Sequence, residues 1–429
     1  MAKIADVHAR QILDSRGIPT VEVDVTLSDG AVGRAAVPAG TSTGGTEAVE
    51  LRDGDESRFW GQSVDRAVQG VCGEIRLELM GRDDLDQATL DRTMIEMDGT
   101  ADKSRLGSNA ILGVSLAFTC ALAQSKGVPL YRLLANGNDF VLPVPLLNII
   151  NGGQHALNST DFQEFMVVPA GFDTFSQALR AGAEVYHHLG QIFGERGFGR
   201  SVGYEGGFTP AMASNVHGME LILEAIDRAG YEAGKQCFIA IDTAASELRT
   251  RKDIYALHRE ESVLSAAELI HMYERWSRDY PLISIEDGMA EEDWDEWTLL
   301  NRLLGSRVQL VGDDLYTANL DRIRMGIEQD SSNAVLIKPN QTGTVSETIE
   351  AVSVTKGAGW GTVVSHRSGE TEDVTIADIA VGTAAGQLKA GAPARSDRTA
   401  KYNRLLRIEE ELGDQAQFAG AAVYERFLS

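Results

Sequence analysis

The fold is decided by a series of short apolar strands that each end on a polar residue, of which Leu282-Ile-Ser-Ile-Glu286 is the clearest. The others are Phe238-Ile-Ala-Ile-Asp242, Val308-Gln-Leu-Val-Gly-Asp313, Ala334-Val-Leu-Ile-Lys338 and Thr362-Val-Val-Ser-His-Arg367. They lie about 25–45 residues apart, which is the length of one strand–helix unit. Strands that alternate with helices over about 290 residues predict a parallel sheet closed as an α/β barrel.

Three of the strand-ending residues are carboxylates, and the carboxyl ends of barrel strands meet at one mouth. Asp242, Glu286 and Asp313 together form the all-oxygen set of ligands that Mg²⁺ prefers. Each acid taken alone could instead cap the helix that follows its strand. Three such acids on neighbouring strands favour a metal site over three separate caps.

Two lysines are candidates for the same mouth. Lys338 follows an apolar strand, and a neighbouring divalent cation would lower its pKa toward the range of a general base. Lys389, in Gly386-Gln-Leu-Lys-Ala-Gly391, offers a second cation. Its spacing fits a solvated lysine at a helix end equally well.

Glycine-rich segments carry the remaining candidates. Asn151-Gly-Gly-Gln-His155 leads on to Gln163 and Glu164, and Glu205 lies within Val202-Gly-Tyr-Glu-Gly-Gly-Phe208. Flexible backbone around a lone acid suits a loop that carries a general acid over a substrate, although either segment alone also fits a surface turn. Ser365-His-Arg-Ser368 provides a cation and a hydroxyl suited to phosphate. Gly40-Thr-Ser-Thr-Gly44 predicts a lid or a linker.

The first third of the chain has a different pattern. Ile18 to Leu27 alternates apolar and polar residues as a strand does, and Val64 to Ala135 has helical apolar spacing. Strands followed by helices describe an α+β unit. The polar run Asn136-Gly-Asn-Asp139 marks a boundary. We therefore predict an N-terminal α+β domain over residues 1–137 and a catalytic α/β barrel over residues 138–429.

The charge balance excludes some partners. Acidic residues outnumber basic ones by 63 to 39, which gives a net charge of −24. Such a surface repels nucleic acid and anionic membranes, so neither is expected as a partner. A small anionic substrate is still compatible, because local cations and a metal can override the overall field. The N-terminal residues lack the apolar core of a signal peptide, which predicts a cytoplasmic protein.

Seven longer strings connect these observations over the whole chain. They are Asp14-Ser-Arg-Gly17, Ser42-Thr-Gly44, Glu50-Leu-Arg-Asp-Gly-Asp55, Ile149-Ile-Asn-Gly-Gly153, Ser284-Ile-Glu-Asp-Gly288, Val311-Gly-Asp-Asp314 and Ser365-His-Arg-Ser-Gly-Glu-Thr-Glu-Asp373. In this order they make the sequence resemble the enolase (phosphopyruvate hydratase) family. The resemblance implies a modified barrel that is not uniformly parallel, preceded by a smaller α+β domain. It also implies homodimers, or octamers built from dimers.

The same resemblance implies two Mg²⁺ ions in each site. Asp242, Glu286 and Asp313 would be the ligands of the first ion. Ser42 would be the lid residue that meets the second ion, which is expected to arrive with the substrate.

The implied reaction is dehydration of a small phosphorylated three-carbon acid, 2-phosphoglycerate, to phosphoenolpyruvate, which is a carbon–oxygen lyase activity of glycolysis. Lys338 would take the C2 proton. Glu205 would help the 3-hydroxyl group leave as water, with Glu164 as its supporting acid. The implied substrate contacts are His155, Gln163, His366, Arg367, Ser368 and Lys389.

Five positions depart from the residues that are usual in the family, namely Ile18, Ala39, Leu157, Tyr204 and Thr342. Tyr204 replaces an acid beside Glu205, so loss of a neighbouring anion is expected to lower the pKa of Glu205. Leu157 makes a substrate loop more apolar. The departures fit either neutral drift with compensation or a paralogue with a changed substrate or second reactant.

Carboxyphosphonoenolpyruvate synthase, from phosphinate-antibiotic biosynthesis, is such a paralogue. It joins a nucleotide-activated phosphonoformate to the enolpyruvyl unit, and it would need extra room at the mouth. A non-catalytic binding protein on the same fold is a third interpretation. The presence of Lys338, Lys389, Glu164 and Glu205 beside the three metal acids argues against it.

Overall fold

The computed structural model describes residues 3–41, 44–83, 85–135, 137, 139–156 and 158–428. Ser42 and Leu157, which the sequence singles out as a lid residue and a departure, lie outside the described residues.

The N-terminal part is an antiparallel sheet covered by helices. Its strands, in spatial order, are Ile4–Leu13, Pro19–Leu27 and Val32–Ala36. Val21, Val23 and Val25 are fully buried, whereas Glu22 lies on the other face with its side chain partly exposed. The alternation in the sequence therefore gives the predicted strand, with one face packed on the core.

The helices of this part lie on the apolar face of the sheet. They are Asp65–Gly70, Arg76–Leu79, Gln87–Asp98, Ser108–Ser125 and Leu130–Leu134, with a π-helical turn at Val71–Ile75 and a 3₁₀ turn at Phe59–Gly61. Ser108–Ser125 is long and apolar enough to cross a membrane by length and composition, yet 83% of it is buried inside the protein. It packs against the two strands Pro19–Leu27 and Val32–Ala36 as the core helix of this part.

Eight further strands close into a barrel, which confirms the predicted α/β barrel preceded by an α+β unit. In order around the barrel they are Val144–Asn151, Glu164–Val168, Phe238–Asp242, Leu282–Glu286, Gln309–Gly312, Ala334–Ile337, Gly361–Ser365 and Gly386–Lys389. The position of the domain boundary, between residues 137 and 138, stays a prediction.

Helices surround the barrel, and short elements close its two ends. The helices are Phe175–Glu195, Asn215–Arg228, Ala245–Leu248, Ala266–Asp279, Trp294–Leu304, Leu320–Gln329, Pro339–Thr342, Val345–Gly357, Thr375–Gly382 and Ser396–Leu412, with 3₁₀ turns at Gly153–His155, Gly413–Gln415 and Gly420–Phe427. Arg249–Arg251, Ile254–Leu257 and Ser262–Ser265 form an outer antiparallel meander, and Val141–Leu142 pairs with Gln417–Phe418.

The expectation of a wholly parallel sheet, drawn from the strand–helix alternation, is wrong at one strand. Glu164–Val168 runs antiparallel to both of its neighbours, Val144–Asn151 and Phe238–Asp242. Among the described residues of the connection that precedes it, the one regular element is the short turn Gly153–His155, and the chain reverses there instead of crossing over through a helix. The barrel is therefore not uniformly parallel, as the family resemblance implies.

Gly33→Ala is expected to destabilise the N-terminal part. A Cβ atom at Gly33 would lie 2.0 Å from the carbonyl oxygen of Ala117 and 2.2 Å from the nitrogen of Ala121. Overpacking costs about 1–3 kcal/mol, and a clash with backbone cannot be relieved by a rotamer change, so we expect the upper end of that range. Urea unfolding followed by circular dichroism measures the effect.

Gly73→Ala is the matched control, because Gly73 is helical and a Cβ atom there meets nothing within 4 Å. It should leave the unfolding midpoint unchanged or raise it slightly, since alanine favours helix over glycine. Equal midpoints for the two variants would show that the strand and the helix do not approach as closely as described.

Candidate active site

A narrow polar cavity opens at the carboxyl-terminal mouth of the barrel. It is lined by His155, Gln163, Glu164, Glu205, Asp242, Ala244, Asp287, Asp313, Asp314, Lys338, Ser365, His366, Arg367, Ser368 and Lys389. Glu286 completes the set through its contact with Lys389. Apart from Ser42, which is not described, every residue predicted for the site from the sequence therefore lies in or beside this one cavity.

Backbone register places the acids in a row. Glu164 is paired with Asp242 across neighbouring strands, and Asp242 is paired with Glu286. Paired positions of adjacent strands project to the same face of a sheet, so the three carboxylates converge. Asp313 follows the next strand, Gln309–Gly312, at the same mouth.

Lys389 lies at the centre of this row. Its Nζ atom lies 2.8 Å from Glu286 Oε1, 2.9 Å from Glu164 Oε2 and 3.5 Å from Asp242 Oδ2. Burial disfavours its charge, but the surrounding acids outweigh burial and hold the pKa of Lys389 well above its ordinary value. The alternative of a solvated lysine at a helix end is wrong, because Lys389 ends a barrel strand and is only 3% exposed.

Lys338 forms a second ammonium–carboxylate pair. Its Nζ atom donates to Oδ2 of Asp313, and Gln341 Nε2 donates to the other oxygen of that carboxylate at 3.1 Å. Burial lowers the pKa of Lys338, but the charge of Asp313 outweighs burial and raises it above the ordinary value. The lowering predicted from the sequence concerns the site with a divalent cation bound beside Lys338, and it stays a prediction.

The three predicted metal ligands of the first ion are paired with these lysines and do not form one close group. Among the described residues, the acid and imidazole groups that come within 4.8 Å of one another at the mouth are Asp287–Asp313–Asp314 and His155–Glu164–Glu205. Asp242, Glu286 and Asp313 are not such a group. Lys389 contacts the first two and Lys338 contacts the third, so each of these three carboxylates is already paired with a cation.

This donor set fits a hard divalent cation. Carboxylate oxygens are the ligands that Mg²⁺ prefers, and a dication could replace the ammonium groups as counter-charge. Four buried polar atoms in the cavity lining also lack a hydrogen-bond partner among the described residues, namely Gln163 Oε1, His155 Nδ1, His366 Nε2 and Glu164 Oε2, the last of which lies in an ion pair with Lys389. Buried polar atoms are normally satisfied, so their arrangement fits a polar ligand bound beside the carboxylates.

Asp287 is a part of the site that the sequence reasoning missed. Its two carboxylate oxygens accept the backbone N–H groups of Asp313 and Asp314, each at 2.9 Å. Burial and the neighbouring charges of Asp314 and Asp313 raise the pKa of Asp287 well above its ordinary value. Asp287 therefore fixes the backbone that carries the predicted metal ligand. Its position directly after Glu286 in the sequence was the signal from which it could have been predicted.

Glu205 is enclosed by polar side chains. Asn148 Nδ2 donates to its Oε2 atom at 2.7 Å, His155 Nδ1 lies 3.6 Å from the same oxygen, and His366 Nε2 lies 3.7 Å from Oε1. Burial disfavours the carboxylate, but the two imidazoles, Arg398 and Lys389 outweigh burial and hold the pKa of Glu205 well below its ordinary value. The pKa of Glu205 is therefore lowered, as was predicted from the replacement of an acid by Tyr204. The groups that lower it are the neighbouring imidazoles and cations.

Glu164 has the opposite protonation preference. Burial and the negative charge of Glu205 raise the pKa of Glu164 well above its ordinary value, against the attraction of Lys389. His155 Nδ1 lies 3.7 Å from Glu164 Oε1 and is the same nitrogen that lies 3.6 Å from Glu205 Oε2. Two carboxyl groups whose surroundings push their pKa values apart are suited to act as an acid–base pair, in which Glu164 binds a proton more readily than Glu205 does.

The predicted phosphate contacts are held by the N-terminal part of the chain. Arg367 Nη1 donates to Glu47 Oε2 at 2.8 Å, and Ser368 Oγ accepts the backbone N–H of Thr41 at 2.8 Å. Ala39 and Gly369 exchange two backbone hydrogen bonds, at 2.8 and 2.9 Å. Ala39, Thr41 and Glu47 thus help to complete the mouth of the barrel, and they lie in or beside Gly40–Gly44, which the sequence predicts to be a lid or a linker.

Of the described departures from the family pattern, Ile18, Thr342 and Ala39 are held by hydrogen bonds or burial, whereas Tyr204 is half-exposed. Ile18 and Thr342 are bound locally: the N–H of Ile18 donates to Asp14, and the hydroxyl of Thr342 donates to the carbonyl of Pro339. Ala39 is fully buried in the contact with Gly369. Tyr204 is 43% exposed, and its carbonyl oxygen accepts a hydrogen bond from Arg398. Of the four departures that the structure describes, Tyr204 is the one with a large exposed side chain, and it does not line the cavity.

Comparison with family models gives two matches. Residues 4–134 match the model described as "Enolase, N-terminal domain". Residues 139–427 match the model described as "Enolase, C-terminal TIM barrel domain". The two matches follow one another along the chain and take in both the sheet-and-helix unit and the closed barrel.

Lys389→Met is expected to destabilise the protein strongly. Loss of the ammonium group leaves the carboxylates of Glu164, Asp242 and Glu286 buried without their shared cation. Removing one partner of a buried ion pair costs about 3–5 kcal/mol. Urea unfolding in a buffer that contains a chelator measures the loss.

Lys235→Met serves as the matched control, because the Lys235–Glu232 pair is exposed on both sides. Exposed pairs contribute little to stability, so the control should unfold with the wild type. A Lys389→Met protein as stable as the control would show that the central ammonium is not needed to hold the three acids.

Proposed function

The chain belongs to the enolase family, and on that premise we propose that it removes the C2 proton of 2-phosphoglycerate and eliminates water to give phosphoenolpyruvate, using Mg²⁺. The observation that carries this proposal is the presence of a lysine base and a carboxyl pair in one cavity with three strand-end carboxylates. Binding proteins do not need two buried acids with opposite protonation preferences.

The chemistry explains why so many charges are gathered here. A proton beside an ionised carboxylate is very weakly acidic, because its removal adds negative charge to the same group. Cations fixed in a buried site stabilise that charge without having to reorganise. Lys389 is one such cation, since its surroundings keep it protonated.

Asp242, Glu286 and Asp313 would hold the metal. When bound, Mg²⁺ would supply positive charge to the developing enediolate. The enolase superfamily is itself a standard example of a lysine or histidine base used together with Mg²⁺, so the resemblance and the chemistry are not independent supports. The fit of the carboxylates in this chain is the separate support.

Lys338 is the proposed base. In the structure it is held protonated by Asp313, which accepts its hydrogen bond. Any cation that engages Asp313 weakens this pairing and lowers the pKa of Lys338. The proximity of base and ligand therefore couples the readiness of Lys338 to the occupation of the metal ligands.

Glu205 and Glu164 are the proposed acid end. The departing hydroxyl needs a proton, and the raised pKa of Glu164 favours its protonated form. His155 lies within 3.7 Å of both acids, so the two carboxyl groups and the imidazole form one connected group. In the proposed step a proton from Glu164, the supporting acid, reaches Glu205 through His155, and Glu205 passes it to the hydroxyl, which leaves as water.

A second candidate is an enolase-like synthase that joins a nucleotide-activated phosphonoformate to the enolpyruvyl unit. The feature that favours it is Tyr204, which replaces an acid directly beside Glu205 and has a half-exposed side chain. Such a protein would keep the proton-abstraction residues and change the second reactant. If 2-phosphoglycerate is not turned over, adding the activated phosphonoformate and following new phosphorus NMR signals tests this candidate.

Purified protein with Mg²⁺ and 2-phosphoglycerate is expected to form phosphoenolpyruvate, which is followed by its ultraviolet absorbance. Turnover should reach at least about 1 s⁻¹, the low end for common enzymes, and should disappear when the metal is chelated. Turnover that is absent, or that survives chelation, would contradict the proposal.

Lys338→Ala is expected to abolish exchange of the C2 proton with solvent while leaving Mg²⁺ binding largely intact, because Lys338 contacts a ligand without being one. Proton NMR of 2-phosphoglycerate in D₂O measures the exchange, and calorimetry measures the metal. Lys356→Ala is the control: Lys356 donates to the carbonyls of Thr383 and Ala384, away from the cavity. Unchanged exchange in Lys338→Ala would exclude Lys338 as the base.

A further inference from the structure

Arg398 is a fully buried arginine beside the cavity that is not among the residues predicted for the site. It lies in the first turn of the helix Ser396–Leu412. Its charge is met by Asp397 in an ion pair, with 2.7 Å between Arg398 Nε and Asp397 Oδ2, although neither of these two atoms makes a hydrogen bond among the described residues. A buried guanidinium is costly unless its donors are satisfied, so the partners of the remaining nitrogens are informative.

Those partners belong to the two loops that carry substrate-facing residues. Nη1 donates to the carbonyl oxygen of Arg367 at 2.6 Å, and Nη2 donates to the carbonyl oxygens of Ser368 at 2.6 Å and Tyr204 at 3.0 Å. Nη1 also contacts Nδ1 of His366. Arg398 therefore ties the segment 366–368 to the loop that carries Glu205.

The contact with His366 fixes the position of a proton. A guanidinium group only donates hydrogen bonds and does not lose its proton in proteins. The Nδ1 atom of His366 must therefore accept, which leaves the ring hydrogen on Nε2. The fixed positive charge of Arg398 also opposes protonation of Nδ1, so the ring stays neutral.

The other ring nitrogen faces the site. His366 Nε2 lies 3.7 Å from Glu205 Oε1 and is buried without a hydrogen-bond partner among the described residues. Burial, together with the charge of Arg398, holds the pKa of His366 well below its ordinary value against the pull of Glu205. A neutral ring with its hydrogen on Nε2 is a donor aimed at the oxygen of the proposed acid.

We propose that Arg398 is a positioning residue that fixes His366 as the neutral Nε2–H tautomer, so that one N–H donor points at Glu205 and the departing hydroxyl group. The part of this inference that concerns the hydroxyl rests on the proposed function. The tautomer itself does not, because it follows from contacts within the chain.

The decisive experiment is ¹⁵N NMR of protein labelled in the histidine rings, without substrate. His366→Asn identifies the signals of His366 by their loss. We expect a protonated, pyrrole-type Nε2 and an unprotonated, pyridine-type Nδ1 for His366 in the wild type. Arg398→Lys, which keeps a cationic donor, should retain this pattern. Arg398→Met should introduce a second protonation state of the His366 ring. A wild-type ring protonated on Nδ1, or on both nitrogens, would overturn the proposal.

A kinetic pair tests the use of the donor. In His366→Gln the side-chain amide can place an N–H group near the position of Nε2, whereas the shorter side chain of His366→Asn cannot. We expect kcat for 2-phosphoglycerate to be at least about tenfold higher in His366→Gln than in His366→Asn, which corresponds to about 1.4 kcal/mol. Equal or reversed values would overturn the role of Nε2. Absence of wild-type turnover would overturn the proposed function and leave the NMR result to decide the tautomer.

Discussion

One buried ammonium group, Lys389 Nζ, holds together the carboxylates of Glu164, Asp242 and Glu286, and the site depends on this interaction. Isolated buried charges cost several kcal/mol each, so a cavity with this many acids exists only if cations lie between them. Lys389 supplies one from the last barrel strand, and Lys338 supplies another against Asp313. Strand register then decides which acid meets which cation, because paired residues project to the same face.

This charge pairing also distributes the protons of the site. Glu164 is buried next to an anion, which raises its pKa, whereas the imidazoles and cations around Glu205 lower the pKa of that carboxyl group. The same principle keeps Lys338 protonated while it pairs with Asp313. Acid, base and metal ligands are therefore coupled through a few short contacts, and a change of charge at one position changes the pKa of its neighbours.

The site is not built by the barrel alone. The N-terminal part contributes Glu47 to Arg367 and Thr41 to Ser368, and its backbone pairs with Gly369 through Ala39. These contacts bury charged groups on the surface between the two parts, so they position the phosphate-binding candidates as they join the parts. Arg398 makes the equivalent connection on the other side, from the loop of Glu205 to the segment 366–368.

The sequence by itself determined the barrel, the preceding α+β unit and most of the residues at the mouth. Each barrel strand is a short apolar run, and a polar residue that ends such a run must fall at the mouth when the sheet closes. The tertiary structure alone decided the reversal of Glu164–Val168, the burial of Lys389 and the roles of Asp287 and Arg398. Their partners are distant along the chain: Lys389 and Glu286 are 103 positions apart, and Arg367 and Glu47 are 320 apart. Local patterns fix where a side chain projects, whereas hydrogen-bond partners and protonation states are fixed only when distant segments pack together.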